Sequence, residues 1–531
     1  MTRRFSWFSA ILLVPLLGWI CLVPLLLVFP IYADELEWKI INSRLLLDSG
    51  KLNYIFPECS KGLLLDPPIS WYPARFLDAI LYSDMTNPQI LRYWSIGIFL
   101  AIVLYCAWFV RFSLKPDIGY AAISGAVLAP LSLGVLPFLL VMNRPEQGLV
   151  AAIAVVCTLP SIIASRKLTT LQTWVIALLF VLLSWMIVGT HVKGIFILPA
   201  LLLAAFLSVK NWGPRLVVLA AASFGAIETY RLWAVRTDCP ESPFLMQVFH
   251  AQGMSPTDLR AGLAPFLKNV ARNILSFTEY LRNAGFQQEY QNQWLPTAKI
   301  PQNPVETIVN ASVPVFAVIG LMIVIIAFAS SAMRAVRTRT LPDRGPLMAI
   351  SLLACLTCIA GFQSGKNFYE TALILPTLVV AVILVLTGSA LPIAVLNSGR
   401  KLIAVISIVA FAGQLAIASR FYPELSDWQH TLDVREQTQS RIRNLMGRCG
   451  IQTEAATKHV LVDDFTYTVL WPTQEPYLLP YLYGWWATGI DAAGVIRDRN
   501  IRAAVGWCPL VSREIWSFVV SDDRYCCGTR S

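Results

Sequence analysis

Four short stretches gather the side chains of this sequence whose types could do chemistry: Asp34-Glu35, Asn143-Arg144-Pro145-Glu146, His191 with Lys193, and Lys366 with Tyr369 and Glu370. They combine carboxylates able to deprotonate a hydroxyl with cations able to hold a phosphate leaving group. Those are the two requirements for displacing a lipid phosphate with an alcohol. Each stretch closes an odd-numbered apolar run, so packed helices would bring all four around one cavity on a single side of a bundle. That shared side singles them out more than any one residue does.

The elements that must position them are long apolar helices. A run of about 20 apolar residues crosses a bilayer core, and about eleven such runs follow one another: 8–31, 93–110, 118–140, 149–165, 171–189, 194–209, 214–232, 313–332, 346–362, 371–394 and 402–419, the sixth being short. With Arg3 and Arg4 in the cytoplasm, the inner loops hold Arg111 and Lys115, Arg166 and Lys167, Lys210 and Arg215, then Arg334, Arg337, Arg339 and Arg344, then Arg400 and Lys401. Every inner loop is basic, as the positive-inside rule requires, and an odd number of spans leaves the residues after Arg420 outside. Trp7, Trp94, Trp108, Trp212 and Trp233 fall near span ends, where an indole is most stable. The first run is longer than the roughly 7–15 residues of a signal peptide's apolar core and reads as an uncleaved anchor.

Composition points the same way. Hydrophobic residues make up 56% and charged residues 14% of the chain, whereas a soluble domain carries about 25% charged residues. Water is therefore not the solvent for most of this surface. The net charge of +10 is scattered in small groups between apolar runs and forms no patch for nucleic acid. Cys21, Cys106, Cys157, Cys355 and Cys358 lie inside runs, as small apolar residues do. Cys59, Cys239, Cys449, Cys508, Cys526 and Cys527 lie outside them, an even set that permits disulfides without specifying the pairs. No Cys/His spacing matches a structural zinc site.

Three outer segments are long, 32–92, 233–310 and 421–531. In the first, Leu36, Ile40, Ile41, Ser43 and Leu47 keep helical spacing and Gly50 supplies a stop, which predicts an amphipathic helix on the membrane surface. A second short interfacial helix is expected over 75–81. The middle segment reads as helical around 256–267 and 270–284, as a lid or partner surface. The last has an ordinary density of charge and predicts a small α/β domain, with helices over 426–446 and near 491–498 and strands over 459–462, 501–506 and 515–520. The expected division is a membrane domain over 1–420 and an extracytoplasmic domain over 421–531.

Tyr32-Ala-Asp34-Glu35 opens a long outer loop with interfacial helices, and Lys366-Asn-Phe-Tyr369 with the later Pro376 forms a basic-aromatic-proline segment. With a cytoplasmic N-terminus and a soluble C-terminal domain outside, this pattern resembles the GT-C superfamily over residues 1–420. That superfamily comprises membrane glycosyltransferases using polyprenyl-phosphate sugars, such as the protein O-mannosyltransferases and the aminoarabinose transferase acting on lipid A. The resemblance implies inverting transfer of a sugar from a polyprenyl-phosphate donor to an envelope lipid, glycan or protein, at the outer face of a bacterial inner membrane. Membrane lipids are the remaining partners, and nucleic acid is not one. By residue it implies Asp34 as general base, with Glu35 assisting, and Arg144, Lys193 and Lys366 on the donor phosphate. Glu146, His191 and Tyr369 complete the implied substrate-binding set. A divalent metal ion is left open, because Glu146 is the only acid in the third-to-fourth-span loop, where the family has a second Asp.

Structural roles compete with each of these. Asp34 can cap a helix beginning at Glu35, with Glu37 completing a capping box. Arg144 and Glu146 can pair within their turn, and His191, Lys193 or Lys366 can reach lipid headgroups. Asp463-Asp464 reads as a strand end, and Glu228 with Arg231 as an intrahelical pair. The rival function is a transporter or flippase, which would place ionisable or broken-helix features near the bilayer midplane. A non-catalytic assembly or sensor protein is the third reading.

Overall fold

The computed structural model describes residues 7–29, 52–53, 64–65, 90–114, 119–134, 136–141, 145–164, 168–236, 262–282, 304–340, 345–361, 371–386, 393–451, 460–462, 466, 469–470, 501–508, 511 and 516–530. The helices expected over 36–47, 75–81 and near 491–498 lie outside these residues.

The described helices are α1 (Trp7–Val28), α2 (Ile90–Leu114), α3 (Tyr120–Leu128), α4 (Leu136–Val141), α5 (Pro145–Ala164), α6 (Thr170–Thr190), α7 (Leu198–Ser208), α8 (Trp212–Arg236), α9 (Leu263–Arg282), α10 (Pro304–Thr338), α11 (Gly345–Gly361), α12 (Thr371–Leu386), α13 (Ile393–Asp433) and α14 (Arg435–Arg448). Six contain stretches long and apolar enough to cross a membrane, Trp7–Val28, Arg92–Ser113, Glu146–Ile163, Thr170–Thr190, Pro304–Thr338 and Lys401–Pro423. Shorter apolar helices, Leu198–Ser208, Gly345–Gly361 and Leu373–Leu386, lie among them. The chain is a multi-pass helical membrane protein. From Leu373 to Val385 of α12 nearly every side chain is buried, so this helix is enclosed by the others and needs no polar face. Its neighbours include α5, α10 and α11.

Local signals explain several boundaries. Thr169 caps α6 by accepting from the Gln172 N–H at 3.2 Å, while Gln172 Oε1 accepts from the Thr169 N–H at 3.0 Å, a full capping box. The run at 118–140, read as one span, is instead broken into α3, a 3-10 turn over Pro130–Ser132, and α4. Pro130 cannot donate to the preceding turn, and Gly134 adopts φ 57°, which glycine tolerates. The break is held from α1, where Trp19 Nε1 donates to Ser132 Oγ at 2.6 Å. Between 233 and 310 the described residues include helix α9, with Asn273, Phe277 and Leu281 buried and Leu263, Leu267 and Leu275 exposed.

α13 runs unbroken past residue 420, and α14 follows after Val434. Strands β1 (Leu52–Asn53) and β2 (Leu64–Leu65) pair antiparallel, and beyond α14 the strands β3 (Val460–Val462), β4 (Ala503–Trp507), β5 (Phe518–Asp522) and β6 (Tyr525–Thr529) form a sheet in the order β3-β4-β6-β5. β3 and β4 are parallel, and the other pairs are antiparallel. The sequence reading missed β6, whose Tyr-Cys-Cys-Gly-Thr stretch lacks an apolar alternation. Side chains alternate across a strand, so adjacent Cys526 and Cys527 point to opposite faces and reach different partners, Cys508 and Cys449. Arg441 of α14 bridges to Asp522 at 3.3 Å and Asp523 at 3.6 Å. The hydrogen bond to Asp522, outweighing the opposing effect of burial, holds that guanidinium protonated above its ordinary range.

Candidate functional site

Glu146 lies in the first turn of α5, where the helix dipole favours an acid. Its Oε1 accepts from Lys193 Nζ at 3.1 Å, and both residues are buried, at 1% and 9% exposure. Lys193 is delivered by a tight 3-10 turn, Val192–Phe196, between α6 and α7. His191 starts that turn in extended conformation, and its Nδ1 accepts the Lys193 backbone N–H at 3.1 Å. This bond assigns Nδ1 as the unprotonated ring nitrogen. Gly194 allows the return, because a Cβ there would lie 2.3 Å from the Ile187 carbonyl oxygen. Glu146, His191 and Lys193 thus form one buried cluster. Lys193 points inward to an acid and does not reach outward to headgroups.

Further contacts radiate from this cluster. Gln147 donates to the Ser95 carbonyl of α2 at 3.2 Å, and Arg92, at the start of α2, donates to the Leu26 carbonyl of α1 at 3.0 Å. Phe196, closing the 3-10 turn, covers Gly361 so tightly that a Cβ there would sit 2.4 Å from its ring. One residue before Gly361, the Ala360 carbonyl accepts from Asn273 Nδ2 of α9 at 2.8 Å. A second buried ion pair joins Glu306, in the first turn of α10, to Arg420 of α13. Next to it Phe421 meets Phe29 and Phe138 edge-on, at 5.9 and 6.4 Å between ring centroids. We call this side of the bundle the paired end.

Of the residues singled out from sequence, Glu146, His191 and Lys193 meet here. Asp34, Glu35, Arg144, Lys366, Tyr369 and Glu370 lie outside the described residues. Sequence reasoning passed over Arg92, Asn273, Glu306 and Arg420 as candidates. The available signal for Arg92, Glu306 and Arg420 is a charged side chain at the end of an apolar run away from the basic loops; Asn273, in the middle of α9, carries no such signal. Among the described residues no three His, Cys, Asp or Glu side chains converge to hold a metal ion. Chemically, the cluster fixes an ammonium against a carboxylate in a dry setting, where charge-assisted hydrogen bonds are strong.

No protein-family model matches the sequence, and no curated protein matches it either. Among solved structures, the archaeal oligosaccharyltransferase AglB from Archaeoglobus fulgidus, in complex with an inhibitory peptide and a dolichol-phosphate, aligns at 11% identity with a TM-score of 0.42. The alignment covers 96% of this chain and 70% of that one. Likeness of that degree transfers neither a fold nor a residue's role.

Proposed function

We propose that this chain is a membrane glycosyltransferase that moves a sugar from a polyprenyl-phosphate donor to an envelope lipid, glycan or protein acceptor. The observation that carries the reading is the buried Glu146–Lys193 pair braced by His191, because a soluble-facing or purely topological lysine needs no such support. In this reading Lys193, with Arg144 and Lys366, holds the donor phosphate, and Glu146, His191 and Tyr369 shape the site. Asp34, assisted by Glu35, takes the proton from the acceptor hydroxyl as it attacks the anomeric carbon and the lipid phosphate departs with its electron pair. The membrane domain spans 1–420 with eleven crossings, its N-terminus in the cytoplasm of a bacterial inner membrane. The 421–531 domain lies on the far side and positions substrate; its two disulfides fit an oxidising compartment. The test is transfer from a polyprenyl-phosphate sugar by the purified full chain in nanodiscs. Asp34→Asn is expected to abolish transfer, and a correctly inserted Asp34→Asn protein with full activity overturns the assignment.

One observation favours a second reading, transport or flipping of an envelope precursor. The third span is discontinuous, and α13 next to its 3-10 turn carries Gln414, which is 1% exposed with neither amide atom hydrogen-bonded. Broken helices beside polar groups mark transport pathways. Proteoliposomes separate the two: lipid translocation without glycosyl transfer would select the transporter.

A further inference from the structure

Buried polar atoms are nearly always paired, and each exception calls for an explanation. Among the exceptions at the paired end are two acceptors, Asn273 Oδ1 on α9 and Glu306 Oε1 on α10, two helices that pack together. Asn273 is the sharper case. Its Nδ2 is committed to the Ala360 carbonyl at 2.8 Å, which fixes the amide's orientation and leaves Oδ1 at 0% residue exposure without a donor. Structural bridging of α9 to α11 uses only the nitrogen, so it does not account for the oxygen. An unpaired buried acceptor costs about 1–3 kcal/mol.

The chemistry that would satisfy it is restrictive. A phosphate diester or monoester anion brings only acceptors and would be repelled by Oδ1. A hydroxyl donates. The contacts from Asn273 through Ala360 and Gly361 to Phe196 connect it to the turn that carries Lys193, so the ligand that would engage both is one carrying a phosphate and a hydroxyl together. We propose that Asn273 is a specificity-determining residue that accepts a hydroxyl of the donor's sugar, while the phosphate lies toward Lys193. The inference rests on the glycosyl-transfer reading. Because Asn273 is enclosed in the free protein, binding requires α9 to part from α10, which leaves the Nδ2–Ala360 bond to α11 in place.

The experiment measures affinities of the full chain in nanodiscs for undecaprenyl phosphate, for a panel of undecaprenyl-phosphate pentoses and hexoses, and for monodeoxy analogues of the best ligand. Asn273→Ala is expected to leave the bare lipid phosphate unchanged and to weaken the sugar-bearing lipid about tenfold, the equivalent of roughly one hydrogen bond. One monodeoxy analogue should bind wild type and Asn273→Ala equally. Asn273→Ser, whose shorter side chain withdraws the amide oxygen, should behave like Asn273→Ala. Should both variants aggregate, the deoxy series on wild type still tests the proposal, which falls if no position loses about tenfold. An equal loss for bare and sugar-bearing lipids makes the residue structural and overturns the proposal, as does no loss at all. If wild type binds no polyprenyl phosphate, the glycosyl-transfer reading itself falls; if it binds the phosphate and Asn273 proves indifferent, only the hydroxyl contact falls.

Discussion

Three helices hold charged side chains in contrasting surroundings at their two ends. α2 begins with Arg92, 1% exposed and bonded to a carbonyl of α1, and ends near Arg111, half-buried over the Tyr120 ring. α10 begins with Glu306 buried against Arg420 and ends with Arg334 and Arg337 exposed. α13 holds Arg420 buried toward one end and Lys401 exposed toward the other. Exposed cations keep their hydration and report chain orientation. Buried ones lose it and survive only with partners, so their presence marks a requirement beyond topology. The paired end therefore spends charge on contacts between helices, whereas the charges at the basic end stay solvated.

Breaking one member of a buried pair should separate the two ends most clearly. Lys193→Met leaves Glu146 uncompensated and is expected to cost about 3–5 kcal/mol, with Arg420→Met costing a similar amount through Glu306. The double variant Glu146→Gln/Lys193→Met should recover most of that stability in SDS-denaturation titrations while remaining inactive. A Lys193→Met protein as stable as wild type would erase the distinction. Gly361→Ala should follow at about 1–3 kcal/mol, since its methyl must displace the Phe196 ring; thermal melts in detergent read this directly, and Phe196→Ala should rescue the crowding. His191→Ala removes the acceptor that starts the 3-10 turn and should cost about 1 kcal/mol, with a larger loss of activity than of stability. At the basic end Arg337→Gln should change stability by less than about 0.5 kcal/mol. A cost there equal to that of Lys193→Met would show that exposure does not distinguish the ends.

How far the sequence carried depended on whether a signal was local. Apolar runs predicted α6 over 171–189 and it spans Thr170–Thr190, because a capping box and hydrophobicity act within one segment. The same hydropathy read straight through Pro130 and Gly134, since it measures solvent preference and is blind to backbone geometry. Three strand stretches were placed near their observed positions, but β6 was not, because its stability comes from pairing with β4 and β5 and from disulfides to Cys508 and Cys449.

From residue types and spacing alone came the multi-pass helical class, and Glu146, His191 and Lys193 as residues worth following, which packing brings together. Tertiary structure decided that Lys193 belongs to Glu146, that Arg420 belongs to Glu306, and that Asn273 keeps one atom in reserve. Partition into a membrane is a sum over neighbouring residues and is written in order along the chain. Pairing across 47 or 114 positions is a property of helices brought together, and only packing specifies which buried charge meets which.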